Sequence, residues 1–129
     1  MGSKNSKYLG IISSLILHNI RNTFSKKVWI TDATIKKIEK KHPPLDKEFI
    51  HNDNFQIIID NTLMISYDET KKVYNCLSKV NGSFFVYGMF PKNKRAEVTT
   101  LFKTNPKQIN KNFINNDNLI VIKEEFTTN

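Results

Sequence analysis

Val28-Trp29-Ile30-Thr31-Asp32-Ala33-Thr34-Ile35-Lys36-Lys37-Ile38-Glu39-Lys40-Lys41-His42-Pro43-Pro44 changes character within its first five residues. Val28, Trp29 and Ile30 are apolar and β-prone. Thr31 and Asp32 are both good helix N-cap types. Beyond them Ala33, Ile35 and Ile38 can supply an apolar side, while Lys36, Lys37, Glu39, Lys40 and Lys41 face water. Pro43 stops the helix at His42, because it lacks a backbone donor and disfavours helical geometry in the residue before it. The stretch reads as a short strand feeding a basic helix that ends on an imidazole. Histidine ordinarily changes charge near neutral pH, so this is a position suited to an acid–base group.

Working outward, Met1 to Ser6 reads as a leader. Ile12, Leu15, Ile16 and Ile20 recur at helical spacing, which predicts a first helix over 7–22 and a polar link over 23–27. Lys4 and Lys7 ahead of the apolar run Leu9 to Ile20 resemble the start of a signal peptide. No small-x-small cleavage site follows, so a packed amphipathic helix is the better reading. After Pro44, a helix is expected over 46–59 with Phe49, Ile50 and Ile57 inward and His51 solvated beside Glu48 and Asp53.

From Thr62 the apolar period falls to two. Strands are expected over 62–67, 71–80, 83–90 and 96–103. Asn81-Gly82 is a strong two-residue hairpin signal, and Pro91 to Arg95 reads as a basic loop. Asn105-Pro106 resembles an N-cap followed by proline at the first helical position of a short helix, and a last strand is expected over 119–126. The expected architecture is α+β: N-terminal helices packed on an antiparallel meander of four or five strands. Residues 1–27 form a leader and helix, and residues 28–129 a single globular unit.

The 129 residues allow one domain with its own core. Twenty basic residues against twelve acidic ones give a net charge of +8, which calls for an anionic partner. Nucleic acid comes first, ahead of a membrane surface or an acidic protein. A single cysteine, Cys76, excludes an internal disulfide and a cysteine zinc site. No run reaches the roughly 18 to 20 apolar residues of a membrane span.

A Gly-rich phosphate loop, a His-x-x-x-His pair and a nucleophile elbow are all missing, and no cofactor is indicated. What remains for chemistry is His, Lys, Arg, Thr and Tyr without metal, the groups a metal-independent ribonuclease uses. His42 is the histidine singled out. The strand over 96–103 is the second candidate, because alternation puts Glu97, Thr99 and Lys103 with Leu101 on one face. Ala96, Val98, Thr100 and Phe102 then share the other. Lys41, Tyr74, Tyr87, Lys92, Lys94 and Arg95 are the candidate RNA contacts, since bases stack on aromatic rings while cations follow phosphates.

The order of short strand, helix ending in Lys40-Lys41-His42-Pro43, further helix, meander and Val98-Thr99-Thr100-Leu101-Phe102 resembles the barnase–EndoU–colicin–RelE-like nuclease superfamily. The likeness is closest to its phage and polymorphic-toxin branches and covers Val28 to about Phe126. It implies a metal-independent RNase toxin, with tRNA as the favoured substrate, acting in the cytoplasm of a target cell. It also implies delivery as part of a larger secreted or phage protein, and neutralisation by an acidic immunity protein. The family's helix histidine falls on His42, its sheet threonine on Thr99 or Thr100, and its basic strand residue on Lys79 or Lys103. The chain departs from the pattern at Ile38, where relatives often carry a second histidine, and in having no arginine in its central strands. The alternatives are a non-catalytic basic nucleic-acid-binding module, or an inhibitor that uses its basic face on an acidic partner.

Overall fold

The computed structural model describes residues 5–20, 26–92 and 95–122. In chain order they form β1 (Ser6–Ile11), α1 (Ser14–Asn19), β2 (Lys27–Thr31), α2 (Asp32–Lys41), a π-helical turn (Asp46–Ile50) and α3 (Phe55–Asp60). Then follow β3 (Thr62–Asp68), β4 (Val73–Val80), β5 (Ser83–Lys92) and β6 (Arg95–Thr104). α4 (Pro106–Ile109), a second π-helical turn (Asn110–Ile114) and β7 (Leu119–Val121) complete the described chain. All seven strands make one sheet in the order β1-β2-β6-β5-β4-β3-β7. β2 and β6 run parallel, and every other pair is antiparallel. The fold is α+β as expected. The expected meander is there as β3 to β6, but it is the middle of a larger mixed sheet.

The strand-to-helix junction forms where the sequence places it. Thr31 caps α2 by accepting the Thr34 amide hydrogen at 3.2 Å, and Ile35 and Ile38 are buried while Ala33 is exposed. The His42 amide closes the helix on Ile38 O at 2.7 Å. The Asn81-Gly82 turn joins Val80 to Ser83 with φ of 51° and 81°, the positive pair that a two-residue hairpin turn demands.

The N-terminal region differs. Residues 6–11 form a strand on β2, and only Ser14–Asn19 is helical, capped by the Ser13 side chain. Gly10 explains the change. It interrupts a helical run, and its φ of 155° suits a bulge in the β1–β2 ladder between Tyr8 and Gly10. A Cβ at Gly10 would collide with the Gln56 carboxamide oxygen. That oxygen accepts the Ile11 amide hydrogen at 2.8 Å, while the Gln56 amide donates to Ile11 O at 2.9 Å. Gly10→Ala is therefore expected to unpin β1 from α3 and lower stability by about 1–3 kcal/mol, read as a reduced urea midpoint. Leu9, Ile12, Ile16 and Ile20 share the core with the rest of the chain.

The helix expected over 46–59 is broken in two. Asp53 adopts φ of 53° between the π-helical turn and α3, a conformation that ends a helix. The last strand is short, Leu119–Val121, and residues 123–126 of the expected strand lie outside the described residues.

The sheet has two dressed faces. α1, α2 and α3 cover one, over Val28, Ile30, Cys76, Phe85, Tyr87, Met89, Val98 and Leu101. Ile109 and Phe113, from the C-terminal helical segment, cover part of the other over Leu63, Met64, Leu77 and Val86. Strict alternation along β6 fails at one point. The β5–β6 register shifts between Gly88 and Met89, so Thr99 is an extra residue between Val98 and Thr100. Ala96, Val98 and Leu101 consequently all face the helices.

Candidate active site

β6 pairs with β2 only through Ala96 and Glu97, so among the described residues the rest of its outer edge has no strand beside it. α2 ends along that edge. The His42 ring rests against Phe102, with centroids 5.7 Å apart, and Leu45 donates its amide to His42 O at 3.0 Å to fix the following turn. The imidazole is half-buried, and it stands at the rim of a cleft of about 630 Å³.

The corner at residues 43–45, the π-helical turn with the segment after it, α3, the β4–β5 hairpin and β6 line this cleft besides α2. The π-helical turn supplies Glu48, the start of α3 supplies Asn54, the β4–β5 hairpin supplies Asn81 and Ser83, and β6 supplies Lys103. Its apolar lining is Leu45, Phe49, Ile57, Val80 and Phe85, with Phe49 and Phe85 packed edge-on at 5.1 Å. The polar rim thus carries one imidazole, one carboxylate, two ammonium groups (Lys41 and Lys103), two carboxamides and a hydroxyl. Lys103 reaches the cleft because it pairs with Phe85 in the β5–β6 register and so shares its face.

The structure brings His42, Lys41 and Lys103 together and separates the other expected site residues from them. Lys79 lies on the opposite face, its ammonium 5.5 Å from the centre of the Phe84 ring, because Ser78 and Val80 on either side face the helices. Thr99 and Thr100 do not line the cleft. They stand where a Gly88 side chain would be, with Thr99 Oγ1 2.5 Å and Thr100 Cγ2 3.4 Å from its ideal Cβ position. Gly88 makes room for the bulge that holds them.

Tyr87 is a core residue and not an RNA contact. It is fully buried, its hydroxyl 2.8 Å from Thr62 Oγ1 and its ring edge-on to Phe55. Tyr74 is likewise buried and lies against Tyr67 at 4.7 Å. Lys92 and Arg95 sit at the far end of the β5–β6 hairpin, and Lys94 lies outside the described residues.

No family model matches the chain, and no curated protein or solved structure matches it. The geometry of the cleft carries the functional reading.

Glu48, Asn54, Asn81 and Ser83 are the cleft residues that sequence reading passed over. The usable signal for Glu48 was its place just beyond the Pro-Pro corner, where the chain must fold back beside His42. Asn81 doubles as turn residue and cleft residue, and only its turn chemistry shows in the sequence. Two other clefts, of about 560 and 620 Å³, contain no histidine. The first is lined mainly by asparagines and carboxylates with Phe102 and Lys111, the second by Tyr67, Tyr74 and Phe90. No helix among the described residues is long and apolar enough to cross a membrane.

Proposed function

We propose that the chain is a metal-independent endoribonuclease whose active site is the His42 cleft. The observation that supports this most directly is the convergence of His42, Glu48, Lys41 and Lys103 on one open cavity. Cleavage of RNA by its own 2′-hydroxyl needs a base, an acid and a cationic wall. The cleft residues match those roles one for one. Glu48 takes the 2′-hydroxyl proton, the 2′ oxygen attacks phosphorus, and the bond from phosphorus to the 5′ oxygen breaks. His42 gives its proton to the departing 5′ oxygen. The products are a 2′,3′-cyclic phosphate and a 5′-hydroxyl. An ionised carboxylate only accepts hydrogen bonds, whereas imidazolium only donates, which sets this division of labour. Lys103 and Lys41 hold the charge that builds on the phosphoryl oxygens.

The net charge of +8 supports an anionic macromolecule as substrate. The family resemblance adds tRNA as the favoured RNA, a toxin's role, and an acidic immunity protein as the natural inhibitor. The decisive experiment incubates total bacterial RNA with purified protein in EDTA and maps the new ends. Discrete fragments with cyclic phosphate ends are expected, and they should disappear with Glu48→Gln. Intact RNA in the presence of folded, uninhibited protein would overturn the proposal. Lys103→Ala is expected to slow cleavage by about 10²-fold, the size of effect of removing one donor to a developing oxyanion, when single-turnover rates are compared.

A further inference from the structure

The sheet face away from the three N-terminal helices carries a second cluster, at the opposite end of β6 from His42. Val28 and Ile30 are fully buried against the helices, so alternation turns Trp29 to the other side. There Tyr8 of β1 stands opposite Trp29 in register and meets it edge-on at 5.5 Å. The Arg95 guanidinium lies 4.8 Å from the centre of the indole ring. It is held in place by a 2.7 Å hydrogen bond to Ser6 Oγ, with Glu97 Oε2 3.8 Å away. The C-terminal helical segment packs near the other edge of the sheet, and Tyr8 remains 43% exposed.

From this arrangement we infer that Tyr8, Trp29 and Arg95 form a stacking platform for the bases of single-stranded RNA. The inference deepens the ribonuclease reading and rests on it for the choice of RNA as occupant. A phenol ring beside a guanidinium plane backed by indole is a surface on which unpaired bases stack. Charge at the same place fits a phosphate backbone. Lys92 pairs directly with Arg95 across the β5–β6 hairpin, so two cations share one face beside the Glu97 carboxylate.

The platform and the cleft share β6 but lie on opposite faces of the sheet, since Phe85 and Lys103 face the helices and Trp29 faces away. Arg95 opens β6, and Phe102, near the other end of the strand, touches the His42 ring. At about 3.3 Å per residue, with the bulged Thr99 taking up one step, Arg95 and Phe102 are roughly 20 Å apart. A single strand whose bases rest on Tyr8 and Arg95 reaches His42 by following β6 and rounding its outer edge to the helical face.

Trp29 is the only tryptophan, so its emission reports on the platform alone. The test titrates the protein with a short single-stranded oligonucleotide of mixed sequence carrying 2′-O-methyl riboses, which cannot be cleaved through the 2′-hydroxyl. Saturable quenching of Trp29 is expected, weaker with the same sequence as a duplex. Tyr8→Ala should loosen binding about tenfold, the order of one lost base stack, and Tyr8→Phe should bind as the parent does. Binding that leaves Trp29 emission unchanged and is indifferent to Tyr8→Ala would overturn the inference, and so would no binding at all. The two readings fail separately. Quenching by the oligonucleotide with no cleavage of natural RNA keeps the platform and refutes the nuclease; cleavage with a silent Trp29 does the reverse.

Discussion

His42→Ala is expected to lower the rate of RNA cleavage by about 10²–10⁴-fold, the usual contribution of a positioned acid or base, and to leave RNA affinity nearly unchanged. The separation of the two effects follows from where the residue sits. Under the proposed reading the phosphate contacts are cations that alanine does not touch, Lys41 and Lys103 at the cleft and Lys92 and Arg95 at the far hairpin. Structure should survive as well. The helix closes through the backbone amide of residue 42 on Ile38 O, which alanine retains, and the side chain is only half-buried. What is lost is one ring contact with Phe102 and the proton donor. Single-turnover cleavage beside filter binding reads both quantities. Full cleavage activity in the variant would remove His42 from the mechanism, and a parallel loss of affinity would recast it as a binding residue.

The second large effect is on stability at alkaline pH. Cys76 and Tyr87 lie side by side in the core, both fully buried. Burial pushes the Cys76 thiol up to about 12, and a hydrogen bond with Tyr87 lowers it only in part. Burial, with the neighbouring Cys76, also raises the Tyr87 phenol well above its ordinary value. In the unfolded chain both groups ionise at ordinary values, near 9 for the thiol. Between there and about 12 the folded state holds a proton that the unfolded state has released. Stability is therefore full below pH 9 and falls as pH rises, by about 1.4 kcal/mol per pH unit for the thiol alone. By pH 11 the loss from Cys76 is about 3 kcal/mol, a large share of the stability of a domain this size. Cys76→Ala should be less stable at neutral pH, since it leaves a small void, yet decline less steeply above pH 9. Urea unfolding across that range measures the difference in slope. Parallel profiles for the two proteins would mean that the thiol ionises in the folded state as freely as in the unfolded one.

Local chemistry was readable wherever neighbours in sequence decide it. The Thr31 cap, the stop at Pro43 and the Asn81-Gly82 turn each depend on a few adjacent residues, and each forms as expected, whereas the alternation of β3 breaks at a bulge between Thr62 and Met64. What escaped depends on residues far apart. The spacing of Ile12, Ile16 and Ile20 reads as one helix, and only the partner strand β2 shows why the chain before Ile12 extends instead. The bulge at Thr99 is equally silent, because its cause is the missing side chain of Gly88 on the neighbouring strand. One extra residue there moves Leu101 and Lys103 to the helical side, which is how Lys103 enters the cleft while the threonines stay outside. His42 was legible through its helix end. Glu48 was not, because a carboxylate in a polar helical stretch looks like any solvated one until the Pro-Pro corner turns it toward the imidazole's cleft.

The parallel pairing of Val28 with Ala96 has a bearing on how the protein is made. Synthesis is vectorial, so β2 leaves the ribosome well before the strand that will hold it. The hairpins from β3 to β5 can assemble meanwhile, but β1 and β2 have no place in the sheet until β6 arrives. The cleft shares that dependence, because Lys103 belongs to β6 and His42 to the helix that follows β2. A nascent chain lacking β6 has His42 and Lys41 without the Lys103 ammonium across the cleft. Under the proposed ribonuclease reading, the cleft gains its Lys103 ammonium only once β6 has been made and paired.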